Sequence, residues 1–155
     1  MEFGHLIAAS QPLALPRIAA FFAGSSLKRP AVRLFGEPDL KLAWMLRFSA
    51  DTGEITQKIK VVSGNGNIYY GRLEGANFYG THRADAEIRD RLSAFDRDPI
   101  GYVTKQGKLY GQCCMCNKPL TDDRSLAAGY GARCAKNWQL PWGKTLTEVS
   151  TGDTI

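Results

Sequence analysis

KLAWMLRFSADTGEITQKIKVVSGNGNIYYGRLEGANFYG, residues 41–80, decides the fold. In its first eight residues Leu42, Trp44, Leu46 and Phe48 alternate with Lys41, Ala43, Met45 and Arg47. A period of two puts the first set on one face and predicts a strand over Lys41–Phe48 with one buried side. Asp51-Thr52-Gly53 turns the chain into a second strand, Glu54–Val62. Ser63-Gly64-Asn65-Gly66-Asn67 is dense in residues that tolerate positive φ, so it predicts a hairpin turn between Lys58–Val62 and Ile68–Leu73. Its glycine spacing fits neither a P-loop nor a dinucleotide fingerprint. A further short strand is expected at Ala76–Gly80.

Outward from this meander, Ala31–Phe35 reads as one more strand, separated from what precedes it by the break Lys28-Arg29-Pro30. Leu15, Ile18 and Phe22 recur at i, i+3 and i+7, with Pro16 at a first turn and Gly24 at an end, which predicts a short helix over 16–23. Downstream, Ile88, Leu92 and Phe95 sit at i, i+4 and i+7 in a charged run from Arg83 to Asp98, the pattern of an amphipathic helix with a solvated charged face. Pro99 and Gly101 are expected to end it, and Tyr102–Tyr110 shows no clear period. The expected fold class is therefore α+β, an antiparallel meander with flanking helices, followed by a cysteine-rich module. The boundaries drawn are 1–110 for the sheet domain, 111–143 for the module and 144–155 for a tail without hydrophobic pattern.

All four cysteines lie between 113 and 134, as Cys113-Cys114-Met115-Cys116 and then Cys134. A Cys-x2-Cys turn points two sulfurs at one ion, and zinc takes four such soft ligands in a tetrahedron, so Cys113, Cys116 and Cys134 are the expected ligands of one zinc per chain. The fourth donor is open: Cys114, which adjoins Cys113, Asp122, Asp123, His82 or water. The alternatives are a metal-free knuckle with buried thiols, or a redox pair. The redox pair lacks the βαβ setting in which that motif opens a helix.

The segment GQCCMCNKPLTDDRSLAAGYGARCAKNWQLPWG, residues 111–143, resembles a small cysteine module of unknown function found in phage and plasmid proteins and beside some helicase-like domains. Cys113, Cys116, Leu120, Thr121, Asp122, Ser125, Gly129, Gly131, Cys134 and Ala135 match its usual form, while Asn117-Lys118 stands for Gly-Arg and Ala132 for Pro. The resemblance implies a phage or mobile-element origin and metal binding, and supplies no activity.

Twenty Lys+Arg against fifteen Asp+Glu in 155 residues gives a net charge of +5, which favours anionic partners without making a polybasic protein. Lys58, Lys60, Arg72, His82 and Arg83 surround the rings of Tyr69, Tyr70, Phe78 and Tyr79, and rings beside cations on a sheet are how single-stranded nucleic acid is held. Alternation also predicts that half of these rings belong to the core. Lys118 and Arg133, with Lys105, Lys108, Arg124 and Lys136, crowd the cysteines and offer phosphate contacts or simply a solvated surface. Trp138 and Trp142 are expected to pack the module onto the sheet.

Two histidines, no His-x-Glu ahead of the cysteines and no nucleophile elbow leave catalysis without a constellation, so no enzyme and no small-molecule substrate is expected. The longest apolar stretch, Pro12–Gly24, is interrupted by Pro16 and Arg17 and falls short of the roughly 20 residues of a membrane span. With no basic residue in Met1-Glu2-Phe3, the expected location is the cytoplasm of a host cell. The function expected is a non-enzymatic nucleic-acid-binding accessory protein of a phage or mobile element, its partner single-stranded nucleic acid. The rival is an inhibitor that binds a host defence or replication complex.

Overall fold

A computed structural model describes residues 12–48, 51–53 and 55–142, so the tail at 144–155 and the strand start at Glu54 lie outside the described residues. The strands are β1 (Leu13–Ala14), β2 (Ala31–Leu34), β3 (Leu40–Phe48), β4 (Ile55–Ser63), β5 (Tyr69–Glu74) and β6 (Asn77–Gly80). The helices are α1 (Pro16–Ala23), α2 (Ala86–Arg97), α3 (Pro99–Tyr110), α4 (Asp123–Ala128) and α5 (Ala132–Trp138). The six strands form one antiparallel sheet in the order β1-β6-β5-β4-β3-β2. The α+β meander expected from the alternation is thus present, with β1 as a sixth strand that two residues are too short to announce.

That order has a consequence for α1. The chain leaves β1 at one edge of the sheet and enters β2 at the other, so α1 has to cross a face of the sheet between them. Leu15, Ile18 and Phe22 are buried on that crossing, at 1%, 0% and 1% exposure. They join Val32, Leu34, Leu40, Leu42, Ile59, Val61, Leu73 and Phe78, the inward phase of the strands, and Ile88, Leu92 and Phe95 from α2. The first turn of α1 has free N–H groups, and Asp96 of α2 takes two of them. Its Oδ1 accepts from Arg17 N–H at 2.8 Å and Ile18 N–H at 2.9 Å. A carboxylate expected on a solvated face is therefore buried as a cap.

The stretch 102–110 is not an aperiodic connection. Pro99 starts a helix instead of merely ending one: Asp98 closes α2 and caps α3, its carboxylate accepting from Gly101 N–H at 3.1 Å, and proline suits the N1 position. The period is hidden because the points of α3 that face inward are Val103 and Gly107. A Cβ on Gly107 would collide with the carbonyl oxygen of Gly129, at the end of α4, so the two backbones touch where apolar side chains would otherwise stand.

The cysteine segment shares the core of the sheet. Trp138 of α5 stacks on Phe21 at 4.8 Å between centroids and meets Phe22 edge-on at 5.3 Å, while Phe22 lies over Trp44 of β3 at 6.4 Å. The expected packing role of Trp138 is realised through α1. On the edge strand, Arg33 N–H donates to Cys114 C=O at 2.8 Å, which covers part of an otherwise open β2 edge. No helix among the described residues is long and apolar enough to cross a membrane.

Candidate metal centre and open sheet face

After α3 ends on Gly111 in the left-handed region (φ 68°), the chain folds back as a tight hairpin. Cys113 N–H donates to Lys118 C=O at 3.0 Å, Asn117 N–H to Cys113 C=O at 2.7 Å, and Leu120 N–H to Gly111 C=O at 2.8 Å. Asn117 takes φ 63°, a conformation asparagine tolerates better than most residues. This turn carries Cys113 and Cys116, and the first turn of α5 brings Cys134 to them. The three sulfurs lie within 4.8 Å of one another. Zinc–sulfur bonds of about 2.3 Å imply tetrahedral sulfur separations of about 3.8 Å, so a small contraction closes the group on an ion.

The surroundings favour negative charge at the centre. The Cys134 thiol donates to Cys113, and the N–H groups of Gly131, Cys116 and Met115 point at the same sulfur, which together hold the Cys113 thiol well below its ordinary range against the cost of burial. Cys134 is pushed up, because it holds the proton shared with Cys113 and because it is buried. Three thiols of which one is already poised to ionise suit a soft divalent ion. Cys113 and Cys134 are buried and Cys116 is exposed.

Cys114 is not brought into the group. It is 1% exposed, its Sγ contacts Val103 C=O of α3 at 3.9 Å, and burial pushes its thiol up to about 12. Adjacent residues of this turn face opposite ways, and Cys114 serves as core. Asp122, Asp123 and His82 also lie outside the three-sulfur group among the described residues. Asp122 instead caps α4, accepting from Ser125 N–H at 3.3 Å.

The sheet has a second face. Opposite to the core phase stand Arg33, Lys41, Ala43, Met45, Lys58, Lys60, Arg72, Glu74 and Tyr79, all part-exposed and all outside the core cluster. Ala43, Lys60, Arg72 and Tyr79 are register partners in one row across β3 to β6. Two of the cations share an anion: Lys58 Nζ is 2.9 Å and Arg72 Nε 2.6 Å from Glu74 Oε1. Arg72 first and Lys58 second hold the Glu74 carboxyl below the usual range. The Arg72 guanidinium also lies over the Tyr79 ring, 5.3 Å from its centroid.

Of the four rings expected to line a binding hairpin, Tyr69 and Tyr79 reach this face and the other two do not. Phe78 is 0% exposed by plain alternation. Tyr70 is buried because β5 takes two steps, Gly71 to Tyr69, while β4 takes one, Val61 to Val62. The extra residue of this bulge is Tyr70, and its ring turns into the core. Arg83 lies exposed in the turn after β6, and Lys118 and Arg133 lie exposed on the cysteine segment that carries the three sulfurs and not on the sheet face. Lys41 belongs to the face as much as Lys60 does, and the alternation of β3 already placed it there.

Residues 103–139 match a family of unknown function, DUF6011. The DUF6011 segment starts inside α3 and ends just past α5, so it includes Val103 and Gly107, on which Cys114 and Gly129 rest, as well as the three sulfurs. It agrees with a cysteine module of uncharacterised role. No curated protein and no solved structure matches the chain.

Proposed function

We propose that the protein is a non-enzymatic, single-strand-preferring nucleic-acid-binding factor of a phage or mobile element, working in the host cytoplasm, and that its three-cysteine centre holds one zinc ion. The observation that carries the reading is the sheet face that no helix among the described residues covers, where Lys41 and Lys60 stand part-exposed near Tyr69, and Arg72, paired with Glu74, lies over Tyr79. Lysine and arginine there would neutralise phosphates, and the exposed rings would stack bases, a combination tolerant of sequence. Zinc at Cys113, Cys116 and Cys134 would supply a structural crosslink between the hairpin and α5. The protein's own residues then hold α5, and Trp138 with it, against α1.

Fluorescence anisotropy with labelled single- and double-stranded oligonucleotides over a salt series tests this. Single strands should bind more tightly than duplexes of the same sequence, and the affinity should fall steeply as salt rises. Absence of binding to either at low salt would sink the reading. A protein-binding role is favoured by one other feature, the apolar side chains of Leu109, Tyr110 and Leu126, which are 75%, 46% and 41% exposed on α3 and α4. In that case a host defence or replication protein would be recovered stoichiometrically after nuclease treatment.

A further inference from the structure

Around the edge of β3 that β2 leaves unpaired, from the end of α1 and the connection to β2 to the outer face of β3, runs a groove of about 1270 Å³. It is larger than the roughly 300–1,000 Å³ of small-molecule pockets, and it opens along the sheet. Lys28, Arg29, Lys41 and Lys60 line it, and no Asp or Glu is among its lining residues. Its length follows from the register. Ala31 of β2 pairs with Ala43, Ala43 with Lys60 of β4, and Tyr69 of β5 closes the lining, so the groove crosses three strand intervals, about 14 Å.

The groove exists because β2 is short. Pairing of β2 with β3 stops at Ala31 and Ala43, and Trp44 N–H donates to Pro30 C=O at 3.0 Å. Beyond that, among the described residues, the β2 side of β3 has no strand partner, and the loop with Lys28 and Arg29 stands over the gap.

The charges of the face are not equal. Lys58 and Arg72 are tied to Glu74, whereas none of the four groove cations has a carboxylate within ion-pair distance among the described residues. Among the described residues the groove thus holds four cations without a carboxylate partner, whereas Glu74 offsets one of the two positive charges beside β5. Tyr69, 43% exposed, and Trp44, half-buried on Phe22, are the rings beside it.

We infer that this groove is the track for the phosphate backbone of single-stranded nucleic acid, with Lys28, Arg29, Lys41 and Lys60 as the phosphate contacts and Tyr69 as a stacking platform. The inference rests on the nucleic-acid reading and says where on the face the strand lies. Cations interleaved with rings, without a partner carboxylate, match a polyanion of stacked bases; an acidic peptide would use the charges but leave the rings idle.

The test compares two double variants of the full-length protein by anisotropy with a labelled single-stranded 20-mer. Lys28→Gln with Arg29→Gln should weaken binding about tenfold at low salt and reduce the salt slope by about 1.4, the loss of two phosphate contacts. Lys58→Gln with Arg72→Gln should weaken it less than about threefold, because Glu74 already offsets one of the two charges and holds both side chains. All four side chains are at least part-exposed, and circular dichroism checks that each variant folds. Amine labelling with and without the 20-mer adds an independent readout, in which Lys28, Lys41 and Lys60 are protected and Lys105 and Lys136 are not. A groove variant that binds like wild type, beside a hairpin variant that does not, would overturn the groove while leaving the nucleic-acid reading intact. A wild type that ignores the 20-mer but binds a polyglutamate peptide, with that binding lost in the groove variant, would overturn both and assign the groove to an acidic strand.

Discussion

The sheet and the cysteine segment are built on opposite principles. The sheet has strands of up to nine residues, and its inward phase supplies most of the buried aliphatic side chains. Its ladder satisfies the backbone, and alternation decides which face is wet. The cysteine segment has two helices of six and seven residues, too short to persist alone, joined by turns, and its largest apolar anchors are Tyr130 and Trp138. Three sulfurs occupy the place where a core would be. A region that packs well needs no ion, and the segment, with less of its own to pack, is proposed above to depend on one.

The largest effects should therefore come from the sulfurs. Cys116→Ser removes an exposed side chain, which by packing alone would cost little, yet as a ligand it should cost several kcal/mol and lower Tm by about 10 °C or more. Cys114→Ser should leave metal content unchanged, and at pH 8 Cys114 should resist alkylation in the native protein, since a thiol pushed up to about 12 carries almost no thiolate there. Equal loss of metal from both variants would put Cys114 in the site.

Trp138 couples the two regions, so Trp138→Ala tests whether they are energetically one. Calorimetry should show a loss of about 3–5 kcal/mol, the range for truncating a buried aromatic, with the sheet destabilised along with the segment. A separate low-temperature transition with the main one unmoved would make them independent. Gly107→Ala acts on the same joint from the other side: its new Cβ meets the Gly129 carbonyl, and the forced separation of α3 from the end of α4 should cost about 1–3 kcal/mol.

Which parts were legible follows from what packs. The alternation in β3 and the i, i+4, i+7 pattern of Ile88, Leu92 and Phe95 are made of large apolar side chains, and both elements stand where the pattern puts them. The helix α3 escaped notice because its contact is a glycine against a backbone carbonyl, which leaves no hydrophobic mark. Tyr70 escaped because a bulge shifts the phase by one residue, and no local composition distinguishes Tyr70 from Tyr69. Asp96 reads as one more surface charge until α1 is seen to begin on it. For the three-sulfur group the spacing of Cys113, Cys116 and Cys134 was enough to expect that the sulfurs meet, because a turn and a helix start carry them, whereas Cys114 points into the core. The open groove was not legible, since it depends on where β2 stops pairing.

The smallest effect expected has the opposite sign from the others. Glu74→Gln frees Lys58 and Arg72, so single-stranded oligonucleotide should bind about two- to fivefold more tightly, with a steeper salt dependence. Arg72 and Lys58 hold the Glu74 carboxyl below its ordinary range, so it stays ionised at neutral pH, and its contribution to stability is lost only as pH falls through that lowered value. Wild type should show the tighter binding only under such acid conditions, and the variant at every pH.

Hydrogen exchange read by mass spectrometry, with metal content measured on the same sample before and after a strong chelator, tests most directly the claim that an ion does for the cysteine segment what packing does for the sheet. The account predicts one bound metal per chain as purified, and on its removal fast exchange across residues 111–140, with a smaller loss of protection in β3, β4 and β5, which share a core with Trp138. A protein that carries no metal and shows the same protection of residues 111–140 with and without chelator would contradict it.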